Sequence, residues 1–445
     1  MAQAISEFKW KSCSITPLDG GKPIELSNQV VMLDYFEDIL QPAVTATLTL
    51  ASSYSLINEV PIRGGEKVDI ELLSPFGDSK TSDSFDITLY VYKAAGIDSE
   101  ATREVSLLHL TTSESFSNET NRCMKKYFPN VKVSEHVRDI IDNVLYSNNA
   151  EDKKDVIIEP TSNSYGFIGS GKKPFHALEW LGVKSVSTLG TSGVSGDSET
   201  GENKGTAGFL FYENNAGYNF RSIDSIVSGA KVGSSNSNVQ FSYFYKGRMT
   251  DGAGNIENEL RIINFNIEKN IDLRHALSVG MYSNDTIFYD TYTNKLSRYH
   301  YNLQKETKNA SKLGKQDQIF VKSDYANAAS RSLFRLSDHG VLGVDGVIAK
   351  SGRDDGDMAK SFSRYNLLFT QALNILVPCN TKLKVGDVIY CEFPKMEGGK
   401  TKEVDPEVSG NYIIRELRHH ISANQNTTSL KLMRDSYGLY GPEQD

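Results

Sequence analysis

The chain has 445 residues, 48 basic and 56 acidic, for a net charge of −8. That length exceeds one ordinary core and calls for roughly two to four domains. The acidic balance argues against stable binding to nucleic acid or anionic membranes, which needs a basic surface. Apolar runs are strand-sized, so no transmembrane helix is expected. Residues 1–11 lack the basic-then-apolar layout of a secretion signal, and assembly in a cytoplasm is expected. Cys13, Cys123, Cys379 and Cys391 stand apart without a CxxC pair, which reads as four reduced structural thiols.

Residues 1–115 read as a small antiparallel β-barrel. A hairpin of residues 12–16 and 23–26 turns at Asp19-Gly20-Gly21, and strands follow at 44–50, 67–72, 85–92 and 105–110. Residues 116–206 change character and read as an α+β linker domain. Val137, Ile140, Ile141, Val144 and Leu145 form the apolar stripe of a helix with Ser134 as N-cap. Pro174 suits the first position of a second helix, which carries Phe175, Leu178, Leu181 and Val186 on one side. Residues 187–206 are Ser, Thr, Gly and Glu with almost nothing apolar, and a mobile, protease-sensitive loop is expected.

Strands return with a hairpin of residues 209–213 and 218–223. Residues 207–248 and 361–437 read as a second barrel, in which this hairpin takes the place of the 12–26 hairpin in the first. Residues 249–360 read as an α+β insertion splitting that barrel. It holds a strand at 261–268, a turn-rich stretch at 282–301, a helix near 324–336 and a glycine-rich acidic loop at 340–357. Residues 438–445 are left as a C-terminal tail.

The strongest internal signal is a repeat. Gly65-Glu66-Lys67-Val68-Asp69-Ile70-Glu71-Leu72 and Gly386-Asp387-Val388-Ile389-Tyr390-Cys391-Glu392-Phe393 share the glycine and the later glutamate, and keep class at four further positions. Each follows an apolar strand (44–50 and 367–377). Each is followed by a strand rich in β-branched and aromatic residues (86–92 and 412–417), then by a Ser-Leu strand (106–110 and 429–433). Fixed-order self-similarity means one folding unit used twice. Gly65, Glu71, Gly386 and Glu392 are its structural markers, and Gly65 is expected to superpose on Gly386 and Glu71 on Glu392. The fold class expected is mainly β with α+β insertions, built on two tandem duplicated small antiparallel barrels.

Site chemistry is sparse. Gly166 to Lys173 approaches a phosphate-binding loop but ends in Lys173 where a hydroxyl should hold magnesium. His419 and His420 are neighbours on a strand and point to opposite faces, so one ring should pack inside and one face out. Asp354-Asp355-Gly356-Asp357 lacks the closing glutamate of a calcium loop, since Phe362 stands there. No GxSxG elbow, HExxH or Cys/His cluster is present. No catalytic, cofactor or metal residue is assigned.

Residues 209–224 (FLFYENNAGYNFRSID) resemble the hairpin by which baseplate central hub proteins of contractile-tail bacteriophages enter their second barrel. Residues 375–389 (ILVPCNTKLKVGDVI), 409–414 (SGNYII) and 430–438 (LKLMRDSYG) are similar to that barrel's later strands, and 35–44 (YFEDILQPAV) to the entry of the first. Such hubs resemble in turn the N-terminal part of type VI secretion spike proteins. The resemblance implies tail-tube-like barrels and a homotrimer whose doubled barrels form a pseudo-sixfold ring, joining a sixfold tail tube to a threefold spike. It implies further partners: the tube or a tube-initiator protein, a separate spike or needle protein, baseplate wedge proteins, and DNA only in transit through the channel. It places the protein in the virion tail, assembled in host cytoplasm, with no cofactor and no membrane binding of its own. The alternative reading is a tail-associated cell-wall-degrading enzyme on a β-scaffold, marked by two carboxylates facing each other across an open cleft.

Overall fold

The computed structural model describes residues 9–52, 62–73, 84–100, 103–146, 153–188, 207–229, 241–245, 259–269, 272–290, 294–303, 312–314, 327–337, 355–395, 404–423 and 425–438. Of the expected mobile loop at 187–206, Ser187 is buried and bonded to Glu159 and Thr188 donates its N–H to the Pro160 carbonyl at 3.2 Å, while 189–206 lies outside the described residues, as do most of the acidic loop at 340–357 and the tail beyond Gly438.

Alternation of apolar and polar residues builds a first strand set. It comprises β1 (Lys9–Thr16), β2 (Ile24–Glu25), β3 (Val30–Asp38), β4 (Thr45–Ser52), β5 (Lys67–Leu73), β6 (Ser84–Glu100) and β7 (Arg103–Thr111). Val68, Ile70 and Leu72 of β5 and Ala46, Leu48 and Leu50 of β4 are buried, as period-2 patterning requires. The strands pair antiparallel in the order β2-β1-β5-β6-β7-β4-β3.

The middle of the chain is mixed. It contains α1 (Ser113–Thr120), β8 (Lys126–Tyr127), α2 (Val133–Ile140) running into a π turn at Ile141–Leu145, β9 (Val156–Ile158), β10 (Phe167–Ile168) and α3 (Pro174–Lys184). Ser134 does not cap α2 with its side chain; its own N–H donates to Thr161 Oγ1 at 3.0 Å. Pro174 does open α3, while Val186 falls beyond its end. The hairpin β11 (Phe209–Asn214) and β12 (Gly217–Ser222) follows, then α4 (Ile223–Val227).

That hairpin does not occupy the place expected for it. It forms a separate three-stranded sheet with β9, which runs parallel to β12. The reason lies in its two apolar faces. Phe209, Phe211, Tyr218 and Phe220 pack with the helices α2 and α3, whereas Leu210 and Tyr212 belong to the main core. A strand pair buried on both sides works as a partition between two cores.

The remaining elements are β13 (Ser242–Tyr245), β14 (Arg261–Ile262), β15 (Asn264–Lys269), α5 (Leu273–Ser278), β16 (Ser283–Asp290), β17 (Lys295–Asn302), β18 (Arg331–Ser337), α6 (Asp355–Leu367), β19 (Gln371–Pro378), β20 (Val388–Glu392), β21 (Gly410–Ser422) and β22 (Asn426–Arg434). A second strand set pairs in the order β15-β19-β22-β21-β20-β13-β14, antiparallel except at β13. The 261–268 strand read as part of an insertion therefore belongs to this sheet, as β14 and β15. In place of the turn-rich stretch expected at 282–301, β16 and β17 pair antiparallel from Ser283↔Asn302 to Asp290↔Lys295. Of the expected helix near 324–336, residues 331–336 lie instead in β18, parallel to β16, and only Asn327 keeps helical backbone among the described residues. Phe334 and Leu336 project outward at 64% and 65% exposure, a period-2 pattern that a helix would not give. Asp355–Asp357 opens α6 rather than closing a loop.

The order β3-β4-β7-β6-β5 in the first set has the same succession as β15-β19-β22-β21-β20 in the second; the likeness ends there, because β1 is antiparallel to β5 whereas β13 is parallel to β20. Gly65 donates its N–H to the Val91 carbonyl at 2.6 Å, and Val91 returns its own to Glu66 at 3.0 Å. Gly386 does the same with Ile414 at 3.0 Å, and Ile414 with Asp387 at 2.9 Å. A one-residue register slip follows each exchange, between Val91 and Lys93 and between Ile414 and Glu416. Glu71 and Glu392 stand at the same distance beyond their glycines, Glu71 opposite Asp86 and Glu392 beside Phe244.

Both glycines hold positive φ, +99° and +89°, where a side chain is strained. Their surroundings differ. A Cβ at Gly386 would lie 2.3 Å from the Tyr212 hydroxyl, whereas at Gly65 the nearest atom is a Leu18 methyl at 3.5 Å. Gly386→Ala is expected to cost about 2–3 kcal/mol, and Gly65→Ala about 1 kcal/mol, from backbone strain alone. Urea denaturation of the two variants checks this; equal losses would show that Tyr212 yields freely.

Candidate assembly site at the junction of the strand sets

The two sets meet where β3 pairs antiparallel with the second half of β21, from Asp38↔Glu416 to Met32↔Ser422, completing a 14-stranded sheet. Asp34 on β3 is the polar centre of this seam. Arg418 grips it with two bonds, Nε to Oδ1 and Nη2 to Oδ2, each 2.9 Å. His420 Nδ1 meets the same carboxylate at 2.7 Å. The neighbouring His419 points the other way, as alternation demands. It is buried, stacks on Tyr35 at 6.0 Å and touches Thr428 Oγ1 at 2.8 Å. Burial pushes its pKa down to about 3, so this ring is neutral packing material.

Glu37, also on β3, pins three parts of the chain. It accepts the Tyr35 hydroxyl at 2.8 Å, the Asn215 N–H at the hairpin tip at 2.7 Å, and the Val385 N–H before Gly386 at 2.9 Å. Burial pushes its pKa up to about 7, although those hydrogen bonds pull the other way. A carboxyl whose folded pKa lies above its unfolded value of 4.5 gives its full stabilising contribution below pH 4.5 and loses it as pH rises through about 7. The Tyr35 hydroxyl can reverse to accept the proton, while both N–H groups stay paired. Glu37→Gln should cost about 1–3 kcal/mol near pH 4.5, because one backbone N–H then faces an amide NH2. Its deficit relative to the parent should shrink by about 2–3 kcal/mol by pH 8. Parallel urea titrations at the two pH values measure the difference; a constant deficit contradicts the assignment.

Two further charge clusters hold the middle of the chain to the strand sets. Glu213 on β11 accepts the Val44 N–H at 2.9 Å and the Thr112 hydroxyl at 3.1 Å, and pairs with Lys154, which also reaches Glu114 at 3.2 Å. Arg364 on α6 bridges Asp224 of α4 (2.8 Å) and Asp435 after β22 (2.7 Å). Asp435 in turn accepts the Leu313 N–H at 3.1 Å.

A groove of about 540 Å³ follows the seam, lined by Asp38, Glu416, Arg418 and Lys431 among others. Asp38 and Glu416 are register partners on adjacent strands, and Glu416 is tied to Lys431 at 2.7 Å. They stand side by side on one sheet face, and do not oppose each other across a cleft as a glycosidase pair would. The Gly166–Lys173 stretch is a turn in which Lys172 lies over Trp180 and Lys173 pairs with Glu119, so neither lysine frames a phosphate cradle. Of the four repeat markers, Gly386 lies beside the junction through Val385; Gly65, Glu71 and Glu392 lie away from it. Sequence reading missed Asp34, Glu37, Lys154, Glu213 and Arg364. The available signal was acids set inside apolar strand runs, Glu37 after Tyr35-Phe36 and Glu213 after Phe-Leu-Phe-Tyr.

No protein-family model matches the chain. In sequence it is 21% identical over 450 residues to the probable baseplate hub protein gp334 of Vibrio phage KVP40, across 98% of this chain and 96% of that protein. Among solved structures, a tail protein from Neisseria meningitidis MC58 superposes with a TM-score of 0.53 at 12% identity, covering 95% of this chain and 96% of that one. The 43 kDa tail protein of prophage MuSo2 from Shewanella oneidensis gives 0.50 at 9% identity, covering 96% and 98%. At such identities the structures show a shared fold. The sequence match extends the resemblance to baseplate hubs along nearly the whole chain.

Proposed function

We propose that this chain is the structural hub of a phage tail baseplate, a virion component without catalytic activity. Three copies form a ring of six similar strand sets that joins a sixfold tail tube to a threefold spike and encloses part of the DNA-ejection channel. The observation that carries this reading is the doubled strand set, with the same glycine exchange and the same bulge in each half. Three chains, each carrying two copies of one unit, satisfy sixfold and threefold neighbours together. The end-to-end similarity to a baseplate hub supports it. Residues 1–115 form the first tube-like unit. The second takes residues 361–437 with β13, β14 and β15, and the hairpin partition and the β16–β18 sheet are elaborations around it. The partners are further copies of itself, a spike protein, the tube or its initiator, and wedge proteins.

Native mass spectrometry of the full chain, alone and with the spike protein of the same phage, tests the reading. A trimer under either condition is expected; a stable dimer or tetramer overturns it. Because the net charge is −8, the ring should bind DNA no better than a non-specific control at physiological salt.

A further inference from the structure

The turn at residues 168–172 forms no phosphate cradle, yet it is held as firmly as a core element. Gly169 donates its N–H to the Lys125 carbonyl at 3.1 Å, Gly171 donates to Cys123 at 3.0 Å, and Cys123 returns its own to Lys172 at 2.9 Å. With the β8–β10 pairs these bonds make a two-stranded ribbon of residues 123–127 and 167–172. Rings fix its inner face. Tyr127 stacks on Phe167 at 4.3 Å, His136 stands edge-on to both, and Trp180 stands edge-on to Phe167. Ser170 holds φ at +52°, a left-handed conformation that among the described non-glycine residues only Asn294 shares. Strain of this kind persists where the surroundings enforce it, and it gathers at functional sites.

The outer face is apolar and cationic. Met124, Ile168 and Phe128 are 75%, 52% and 45% exposed. They are contiguous. Lys126 is the register partner of Ile168 and lies over Phe128, its Nζ 5.4 Å from the ring centre, while Met124 Sδ sits 3.8 Å from where a Cβ on Gly171 would be. Lys125 and Lys173 nearby are matched by Asp139 and Glu119. Lys126 and Lys172 rest instead on the rings of Phe128 and Trp180, and among the described residues neither pairs with a carboxylate. On a chain of net charge −8 this ridge is a local exception. Exposed Met and aromatic side chains grouped on a rigid base with a charged rim have the composition of a protein contact.

We propose that this ridge is a docking site for an acidic, amphipathic segment of another tail protein. The segment lays apolar side chains along Met124, Ile168 and Phe128 and sets carboxylates on Lys126 and Lys172. Charge complementarity selects that occupant. A second copy applied face to face would set lysine on lysine. An anionic lipid surface would meet only two lysines and three apolar side chains, on a chain that is acidic as a whole, which is too little to hold it. That the partner is a tail protein rests on the hub reading above.

The test is made in assembled tails. The full chain, carrying a photo-crosslinking residue in place of Met124 or Ile168, is irradiated in purified phage tails and the joined peptide is sequenced. A segment of a different tail protein is expected, with Asp or Glu beside its apolar residues. That segment, as a synthetic peptide, should bind the purified full chain, more weakly as salt rises. Lys126→Glu or Met124→Glu, each altering an exposed side chain, should weaken that binding about tenfold with an unchanged urea midpoint. A cross-link to another copy of this chain, to a segment without carboxylates, or to nothing in tails that contain the chain overturns the ridge and leaves the hub reading standing. Binding to vesicles of phosphatidylglycerol and phosphatidylcholine that Lys126→Glu abolishes, with no cross-link to protein, overturns it in favour of a lipid surface. Purified tails that lack the chain altogether overturn the hub reading and the ridge with it.

Discussion

Replacing Arg364 by leucine is expected to destabilise the protein by about 3–5 kcal/mol at neutral pH, the range for removing one partner of a buried ion pair. The guanidinium holds Nε at 2.9 Å and Nη2 at 2.8 Å from Asp224 Oδ1, and Nη1 at 2.7 Å from Asp435 Oδ2. All three side chains are nearly inaccessible, at 6%, 6% and 1% exposure. Burial works against the charged arginine, yet the two aspartates outweigh it and hold its pKa above the ordinary value. Asp224 is already pushed up by burial, with Arg364 pulling it back. Without the arginine both carboxylates are stranded, and the folded pKa of Asp224, already raised by burial, rises further above its unfolded value. The penalty should therefore grow as pH rises through that raised value and be smallest below about pH 4, where Asp224 is protonated in both states. Urea midpoints at pH 4 and pH 7.5 separate this from a packing defect, which would cost the same at both. Helix α6, helix α4 and the end of β22 meet at this one side chain, so hydrogen exchange in all three should quicken together.

The strand sets were legible in the sequence because their signal is local. Alternation in Val68-Asp69-Ile70-Glu71-Leu72, glycines before β5 and β20, and the shared order of four strands are all contained in short windows. The halves that escaped are those decided by contacts far along the chain. The 209–222 hairpin was read correctly as a hairpin and wrongly as part of the second barrel. Its turn chemistry is local, whereas its place depends on β9 and on helices packing against its other apolar face. β15 was read as a strand but given to an insertion, since only pairing with β19, more than a hundred residues on, assigns it to the sheet. β18 was mistaken for a helix: its neighbours Leu333, Phe334 and Leu336 fit either period in so short a run, and β16 decides the matter. The junction was invisible for the same reason. Asp34 and Arg418 lie 384 positions apart, and nothing in either strand names the other.

Lys154→Met should be as damaging as the loss of Arg364, about 3–5 kcal/mol at neutral pH, and should loosen a different boundary. Glu114 and Glu213 are each 1% exposed and face the same ammonium. Burial disfavours the charge on Lys154, but the pull of Glu213 and then Glu114 prevails, so its pKa stands above the ordinary lysine value and it stays charged through neutrality. Burial pushes Glu213 up, and Lys154 restrains it. Removing the cation leaves two carboxylates close together in a dry site, with Tyr146 donating to Glu114 at 3.0 Å as one of the few remaining compensations. One of the pair must then take a proton, so the variant's deficit should shrink on acidification toward pH 4.5 and widen above it. Lys154→Arg should recover most of the loss. Lys154→Met with Glu213→Gln should be less destabilised than Lys154→Met alone, because the double variant buries one charge fewer; a double variant that is worse would show that Glu213 acts through its bonds to Val44 and Thr112 rather than through its charge. Those bonds place the hairpin against the start of β4 and the end of β7. Protease cutting between α1 and β9 should therefore accelerate in Lys154→Met while the β19–β22 strands remain protected.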